Sequence, residues 1–191
     1  LQRKTDRRLP QYHDAAESDV FLLSGAEDLV PQLTENGAED CIELDEYSIK
    51  RYRPRIEGLF ARIEQIKIKK TGIMWWRVTT KDNITTWYGL DAASRIADPD
   101  NPRRIYQWLP TLSIDHKGNA QQYHYIQENL DNVPKLLFEN NRLNGHAVFT
   151  NTYLKKVSYG NTTPYFLAEK TLFPIIKLAL KSALIESVNA F

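Results

Sequence analysis

The side chains that could do chemistry in this sequence are its histidines, its one cysteine and its carboxylates. No two histidines stand at a metal-binding spacing such as His-x-x-x-His, so we expect surface positions for them. Cys41 has no histidine close in sequence to activate it, which favours a structural thiol over a nucleophile. We therefore predict no catalytic, cofactor-binding or metal-binding residue and no cofactor. The histidines are His13, His116, His124 and His146.

Tryptophan offers a different kind of site. Trp75 and Trp76 are adjacent, so on a strand their rings point to opposite faces. One ring should be buried, and the other either exposed or covered by a second layer. An exposed Trp could stack on a sugar, and Trp87 or Trp108 could do the same. Packing of both rings in a two-sided sheet is the favoured interpretation, and a glycan- or protein-binding β module is the alternative.

A run of arginines could suggest contact with nucleic acid, because tyrosine and phenylalanine are interleaved with it. Acidic residues between positions 43 and 64 cancel most of this charge, and the whole chain carries a net charge of only +1. We therefore expect a salt-bridged or solvated surface and no nucleic-acid partner. The arginines are Arg51, Arg53, Arg55 and Arg62.

The elements that position these residues are predicted to be strands. The chain has 191 residues with 42% hydrophobic and 11% aromatic side chains, which suits one mainly β domain. No apolar run is long enough to cross a membrane, so no membrane partner is expected. Periodicity predicts a helical turn or loop at 27–31, loops at 91–104 and 128–150, and a helix near 172–184. The predicted strands are 20–23, 41–52, 60–70, 74–80, 84–88, 105–114, 120–127 and 153–159.

Turn residues connect these strands into antiparallel hairpins and meanders. Thr71-Gly72 and Lys81-Asp82-Asn83 predict short turns that make one meander. The strongest local pattern is Asp115-x-x-Gly118-Asn119, followed by Tyr123 and Tyr125 on one strand face. This pattern fits a single good hairpin and a repeat-like shell element equally well.

Several blocks of the sequence resemble, in order, the Salmonella virulence plasmid 65 kDa B protein family. The B component of insecticidal toxin complexes has a similar segment in its N-terminal region. The resemblance covers about residues 18–166. The blocks are Phe21 to Pro31, Tyr52 to Glu64, Trp76 to Asn83, Thr85 to Gly89, Ser94 to Pro99, Asp115 to Tyr125 and Tyr153 to Asn161.

The resemblance implies a mainly β fold of antiparallel hairpins and meanders, part of a shell related to the Rhs/YD-repeat proteins. It implies a structural fragment of a toxin B component, which forms part of the wall around a toxic effector. Implied partners are other B-component segments and the C component, with the pore-forming A component reached only through regions absent here. The implied location is secreted, after assembly in the bacterial cytoplasm.

The resemblance also implies where chemistry is absent. In the plasmid protein the shell-like region precedes an ADP-ribosyltransferase domain that uses a Glu-x-Glu pair. No two glutamates in this chain are two positions apart, so we expect no enzyme activity.

We divide the chain into a loose polar lead-in at 1–19, an incomplete toxin B-component region at 20–166, and a short helical tail at 167–191 that does not fit the family. Because the chain starts at Leu1 without Met or a signal peptide, we expect an excised piece or a partial reading frame. A frameshift is our hypothesis for the tail.

Overall fold

Thirteen strands form a single antiparallel sheet in the computed structural model, which describes residues 1–5, 8–16, 18–23, 27–144 and 149–165. One short helix, α1 (Asn140–Asn144), and 3₁₀ turns at Asp14–Ala16, Ala92–Ser94 and Leu137–Glu139 accompany the strands. The strands are β1 (Gln2–Arg3), β2 (Phe21–Leu23), β3 (Glu27–Pro31), β4 (Cys41–Glu43), β5 (Tyr47–Pro54), β6 (Arg62–Ile68), β7 (Met74–Thr79), β8 (Thr85–Tyr88), β9 (Arg95–Asp98), β10 (Asn101–Trp108), β11 (Pro110–Ile114), β12 (Ala120–Gln127) and β13 (Thr152–Tyr159).

The sheet nearly closes on itself through one long strand. Only Leu109 separates β10 from β11, yet β10 pairs with β1 and β9 while β11 pairs with β8 and β12. From β11 the path runs through β8, β7, β6, β5, β3, β2 and β1, and so returns to β10. The result is a barrel-like sheet from which the β12–β13 hairpin extends.

The predicted meander is confirmed. Strands β6, β7 and β8 pair in sequence order, from Arg62↔Thr79 to Thr79↔Thr85. Gly72 has a φ of 75° in the first turn and Asn83 a φ of 57° in the second, and these are residue types that tolerate the left-handed region. Mainly antiparallel β structure is therefore the correct fold class.

Three local predictions are wrong because pairing partners outweigh local pattern. The segment 27–31 is a strand that bridges β2 and β5. The predicted strand 41–52 is a hairpin, in which β4 pairs with β5. The predicted loop 91–104 contains β9 and the first part of β10, which also divides the predicted strand 105–114 at Leu109.

The polar segment at the start of the chain is also not a loose lead-in. Strand β1 lies between β2 and β10, with Gln2 paired to both Leu22 and Gln107. The Arg3 side chain is fully buried and donates from Nε to the Ile105 carbonyl oxygen at 2.7 Å. The predicted helix near 172–184 lies outside the described residues.

Two apolar clusters pack on opposite faces of the sheet. The first gathers Phe21, Tyr52, Trp76 and Trp108 inside the barrel-like region, with ring centroids 4.9–5.9 Å apart in edge-on or tilted contacts. The second gathers Trp75, Tyr47, Ile66, Trp87, Leu90, Leu112 and Ile114. Adjacent residues of β7 alternate between the two clusters, as strand geometry requires.

Candidate interaction surfaces

All four tryptophans are buried, so none forms a sugar-binding platform. Trp76 and Trp108 are 0% exposed, Trp75 is 5% and Trp87 is 8%. The packing interpretation of the Trp75–Trp76 pair is confirmed, and both rings are covered. The alternative of a glycan-binding module that uses exposed Trp residues is therefore wrong.

The histidines and the cysteine form no site among the described residues. His13 and His116 are exposed, and His124 Nε2 lies 3.3 Å from the Ser158 hydroxyl oxygen. His146 lies outside the described residues. Within those residues, no group of three or more His, Cys, Asp or Glu side chains is placed to hold a metal ion.

Cys41 is a free, exposed residue on the short strand β4. Desolvation of the thiol by neighbouring atoms, together with the Glu39 carboxylate, raises its pKa. A raised pKa lowers the thiolate fraction, which is the nucleophilic form.

The arginine run forms a salt-bridged surface, as predicted. Buried Glu64 lies between Arg51 on β5 and Arg77 on β7, and Arg77 Nε donates to it at 2.7 Å. Arg51 also pairs with Asp40 at 3.1 Å and Arg55 with Asp28 at 3.5 Å. Arg53 is exposed.

The Asp115 turn has the predicted hairpin geometry. Asp115 accepts hydrogen bonds from the backbone amides of Lys117 and Asn119 and from the Asn119 side chain. These bonds, led by the one from the Asn119 side chain, lower the pKa of the Asp115 carboxyl. Gly118 has a φ of 81°, and its carbonyl oxygen accepts from the Tyr165 amide at 2.8 Å. The turn therefore also anchors the chain that follows β13.

A tyrosine cluster fixes the β12–β13 hairpin to the rest of the sheet. The Tyr125 hydroxyl donates to the Pro110 carbonyl oxygen at 2.7 Å. Burial, followed by the nearby Tyr123 phenol, raises the pKa of Tyr125 to about 12. Burial and Tyr123 also raise the pKa of Tyr88 on β8.

Beyond that anchor, the hairpin presents apolar side chains to solvent. Tyr153 and Leu154 are each 54% exposed, Tyr159 is 79% and Ile126 is 44%. Strand β13 ends the order of the sheet, so one of its edges has no partner strand among the described residues. Exposed apolar side chains beside an open strand edge are typical of an interaction surface.

Two further observations define the structural class of this protein. No helix within the described part of the chain is long and apolar enough to cross a membrane. The described residues combine a barrel-like β body with a projecting hairpin that carries exposed apolar side chains. The class is a mainly antiparallel β module with a nearly closed, barrel-like sheet.

Comparison with known proteins identifies the family. The family described as Salmonella virulence plasmid 65kDa B protein matches residues 1–188, and the chain belongs to it. Mono(ADP-ribosyl)transferase SpvB of Salmonella typhimurium is 32% identical over 177 residues, which is 86% of this chain and 28% of that protein. The SpvB of Salmonella dublin gives the same values. The chain thus spans little more than a quarter of these relatives.

Solved structures share the fold. The N-terminal domain of effector protein SpvB from Salmonella typhimurium strain LT2 has a TM-score of 0.75 at 32% identity, covering 85% of this chain and 52% of that one. The Photorhabdus luminescens Tc holotoxin pore has a TM-score of 0.72 at 26% identity, covering 85% of this chain and 7% of that one. The TcdB2-TccC3 structure has a TM-score of 0.70 at 26% identity, with 85% and 8% covered.

These likenesses place the chain among the structural domains of toxin proteins. The SpvB structure that matches is its N-terminal domain. The family match begins at residue 1 and ends at residue 188, so it extends on both sides beyond the region 18–166 that carried the resemblance. The division at residues 19 and 166 stays a prediction.

Proposed function

We propose that this chain is a non-catalytic wall module of a bacterial toxin shell that encloses a toxic effector. The observation that carries the proposal is the likeness to TcdB2-TccC3 over 85% of the chain at a TM-score of 0.70. The apolar surface of the β12–β13 hairpin supports it, because a wall module needs sheet surface that neighbouring segments cover.

The partners in this proposal are other segments of a toxin B component and a C component. The hairpin residues Tyr153, Leu154 and Tyr159 supply the contact, since they are exposed in this chain. A pore-forming A component is contacted through other regions of the B component. The assembled toxin is made in the bacterial cytoplasm and then secreted.

A chimaera tests the enclosing role. Residues 1–165 of this chain replace the matching region of TcdB2, which is then produced with TccC3 and digested with proteinase K. We expect the effector segment to stay intact inside the assembled chimaera. A chimaera that does not assemble, or that assembles and leaves the effector open to digestion, contradicts the proposal.

A second arm tests the non-catalytic part. The chain is incubated with labelled NAD⁺ and a host-cell lysate, with full-length SpvB of Salmonella typhimurium as the positive control. We expect label transfer by SpvB alone. Transfer by this chain would overturn the claim that it is non-catalytic without touching the claim that it forms a wall.

A further inference from the structure

The loop between β5 and β6 directs apolar side chains away from both clusters. Ile56 is 75% exposed, Leu59 is 43% and Phe60 is 69%. Phe60 has a φ of 48°, a left-handed conformation that is unusual for a bulky residue. The Glu57 carboxylate accepts a hydrogen bond from the Phe60 amide at 2.8 Å and so supports this conformation. Packing among the residues that the structure describes does not account for an aromatic ring held outward in this way.

A groove of about 490 Å³ lies beside this ring. We call it the Phe60 groove, and its lining combines apolar atoms with two guanidinium groups. It opens to solvent on the outer face of the sheet, where Arg62 is 58% exposed. The lining residues are Gln32, Arg51, Glu57, Phe60, Ala61 and Arg62.

The charge of Arg62 is poorly compensated. Its ion pair with Glu64 is long, at 3.8 Å, and the same Glu64 oxygen already accepts from Arg77 at 2.7 Å. Glu64 also lies 3.8 Å from Arg51. One carboxylate thus faces three guanidinium groups. Its contact with Arg62 is long and open to solvent.

Two guanidinium groups, those of Arg51 and Arg62, and one carboxylate, that of Glu57, line the groove. Arg51, Arg62 and Arg77 face Glu64 and Asp40, and Glu57 adds a third carboxylate. Arg62 is the most exposed of these three guanidinium groups, at 58% against 31% for Arg51 and 16% for Arg77. An added carboxylate would therefore be favoured here, and arginine binds carboxylates in a bidentate geometry.

We propose that the Phe60 groove binds an extended segment of another protein in which an apolar side chain stands next to a carboxylate. The apolar side chain packs on Phe60, with Ile56 and Leu59 at the border of the site, and the carboxylate pairs with Arg62. This recognition is independent of whether the chain encloses an effector, because it needs only the outer face of the sheet.

Peptide binding to the whole chain tests the proposal. The probe is a fluorescein-labelled ten-residue peptide in which leucine alternates with glutamate, measured by fluorescence anisotropy. One comparison peptide has lysine in place of glutamate, and another has serine in place of leucine. We expect saturable binding of the first peptide only.

Matched variants locate the binding. Phe60→Ser and Arg62→Glu should each weaken binding at least about tenfold, which corresponds to about 1.4 kcal/mol. Phe138→Ser and Arg104→Glu are the controls, since Phe138 is 77% exposed and Arg104 is 55% exposed elsewhere on the chain. These controls should bind as the wild type does.

Reversing the charge at position 62 distinguishes a specific loss of binding from misfolding of the variant. Arg62→Glu should gain affinity for the lysine peptide, which a merely unfolded chain would not do selectively. The proposal is overturned by absence of saturable binding, by equal binding of the lysine peptide to the wild type, or by binding that survives both groove substitutions.

Discussion

Trp76 and Trp108 pack edge to face inside the barrel-like sheet, with ring centroids 5.9 Å apart, and only one of the two indoles has a hydrogen-bond partner among the described residues. Trp108 Nε1 donates to the Met74 carbonyl oxygen at 2.9 Å, which links β10 to β7 across the interior. Trp76 Nε1 is buried without a partner among the described residues. Because the two side chains are equally buried, a comparison of the two separates the contribution of hydrogen bonding from that of packing.

Substitution of each tryptophan by phenylalanine should therefore have unequal effects. Both changes remove a similar volume from one cluster, but only Trp108→Phe breaks a hydrogen bond. We expect Trp108→Phe to cost more than Trp76→Phe by about 1 kcal/mol in the free energy of unfolding. Urea denaturation followed by circular dichroism measures both. Equal losses would mean that the indole bond to Met74 contributes nothing to stability.

Gly89 is required by its contact with Trp108. Its φ of 72° lies in the left-handed region, and an added Cβ would clash with Trp108 Cδ1. Gly37 has a similar φ of 78° but open space around it. Gly37→Ala should therefore show the backbone cost alone, about 1 kcal/mol. Gly89→Ala should lower the free energy of unfolding by about 1–3 kcal/mol more than Gly37→Ala does, because the added methyl group overpacks the contact with Trp108. The same denaturation measurement gives both values. A smaller loss at Gly89 than at Gly37 would contradict the close approach.

The buried Arg3 makes the start of the chain sensitive to acid. Its guanidinium donates to Asp19 at 2.9 Å and also binds Asp14, and it lies 4.8 Å from the centre of the Tyr12 ring. Burial by itself would raise the pKa of Asp19. Amide hydrogen bonds from Gln11 and Tyr12, with the charge of Arg3, outweigh burial and lower the pKa below its ordinary value of 3.8.

A lowered pKa in the folded state contributes stability above the unfolded value and loses it as the pH falls through the folded value. Asp19→Asn should therefore cost about 1.5–3 kcal/mol at pH 7, in line with hydrogen bonds to charged groups. The cost should shrink well below pH 4, where Asp19 of the wild type becomes protonated. Urea denaturation at pH 7 and pH 3 gives both values.

The control for this prediction is the exposed ion pair between Arg104 and Asp98, whose atoms are 3.3 Å apart. Asp98→Asn should cost less than about 1 kcal/mol at either pH, because solvent screens the pair. A pH-independent loss for Asp19→Asn would show that the carboxylate acts by shape alone and not by charge.

Local pattern was sufficient to predict the meander, since its strands pair with sequence neighbours and its turns contain Gly72 and Asn83. It was insufficient for β1, where two residues pair with Leu22 on one side and Gln107 on the other. A two-residue strand carries no periodicity. Similarly, 27–31 shows no alternation that marks it as a strand, and partners on both sides decide its conformation.

The interaction surfaces were harder to predict than the fold. An adjacent Trp pair does not reveal that both sheet faces are covered. Nothing in the sequence distinguishes outward Phe60 from inward Phe21, because side-chain type alone does not specify a left-handed backbone. The resemblance to the family supplied the class of protein, whereas these positions depend on contacts distant in sequence.

The open edge of β13 carries features that oppose edge-to-edge pairing. His124 pairs with Lys156 and Tyr125 with Leu154, so Lys155 is an extra residue that forms a bulge. Lys155 and Lys156 are both exposed. Bulges and lysines on edge strands disfavour the addition of another strand. An open strand edge favours association with other chains, and these lysines should limit it.

Replacing Lys155 and Lys156 together by valine should therefore increase self-association, because the edge becomes apolar while Tyr153 and Leu154 stay exposed beside it. Size-exclusion chromatography with light scattering over a range of protein concentrations measures the shift to larger species. Lys117→Val, in the exposed turn before β12, is the control and should leave the elution unchanged. If the double variant elutes as the wild type does, the lysines are not what protects this edge, and the apolar hairpin surface alone must determine how the chain associates.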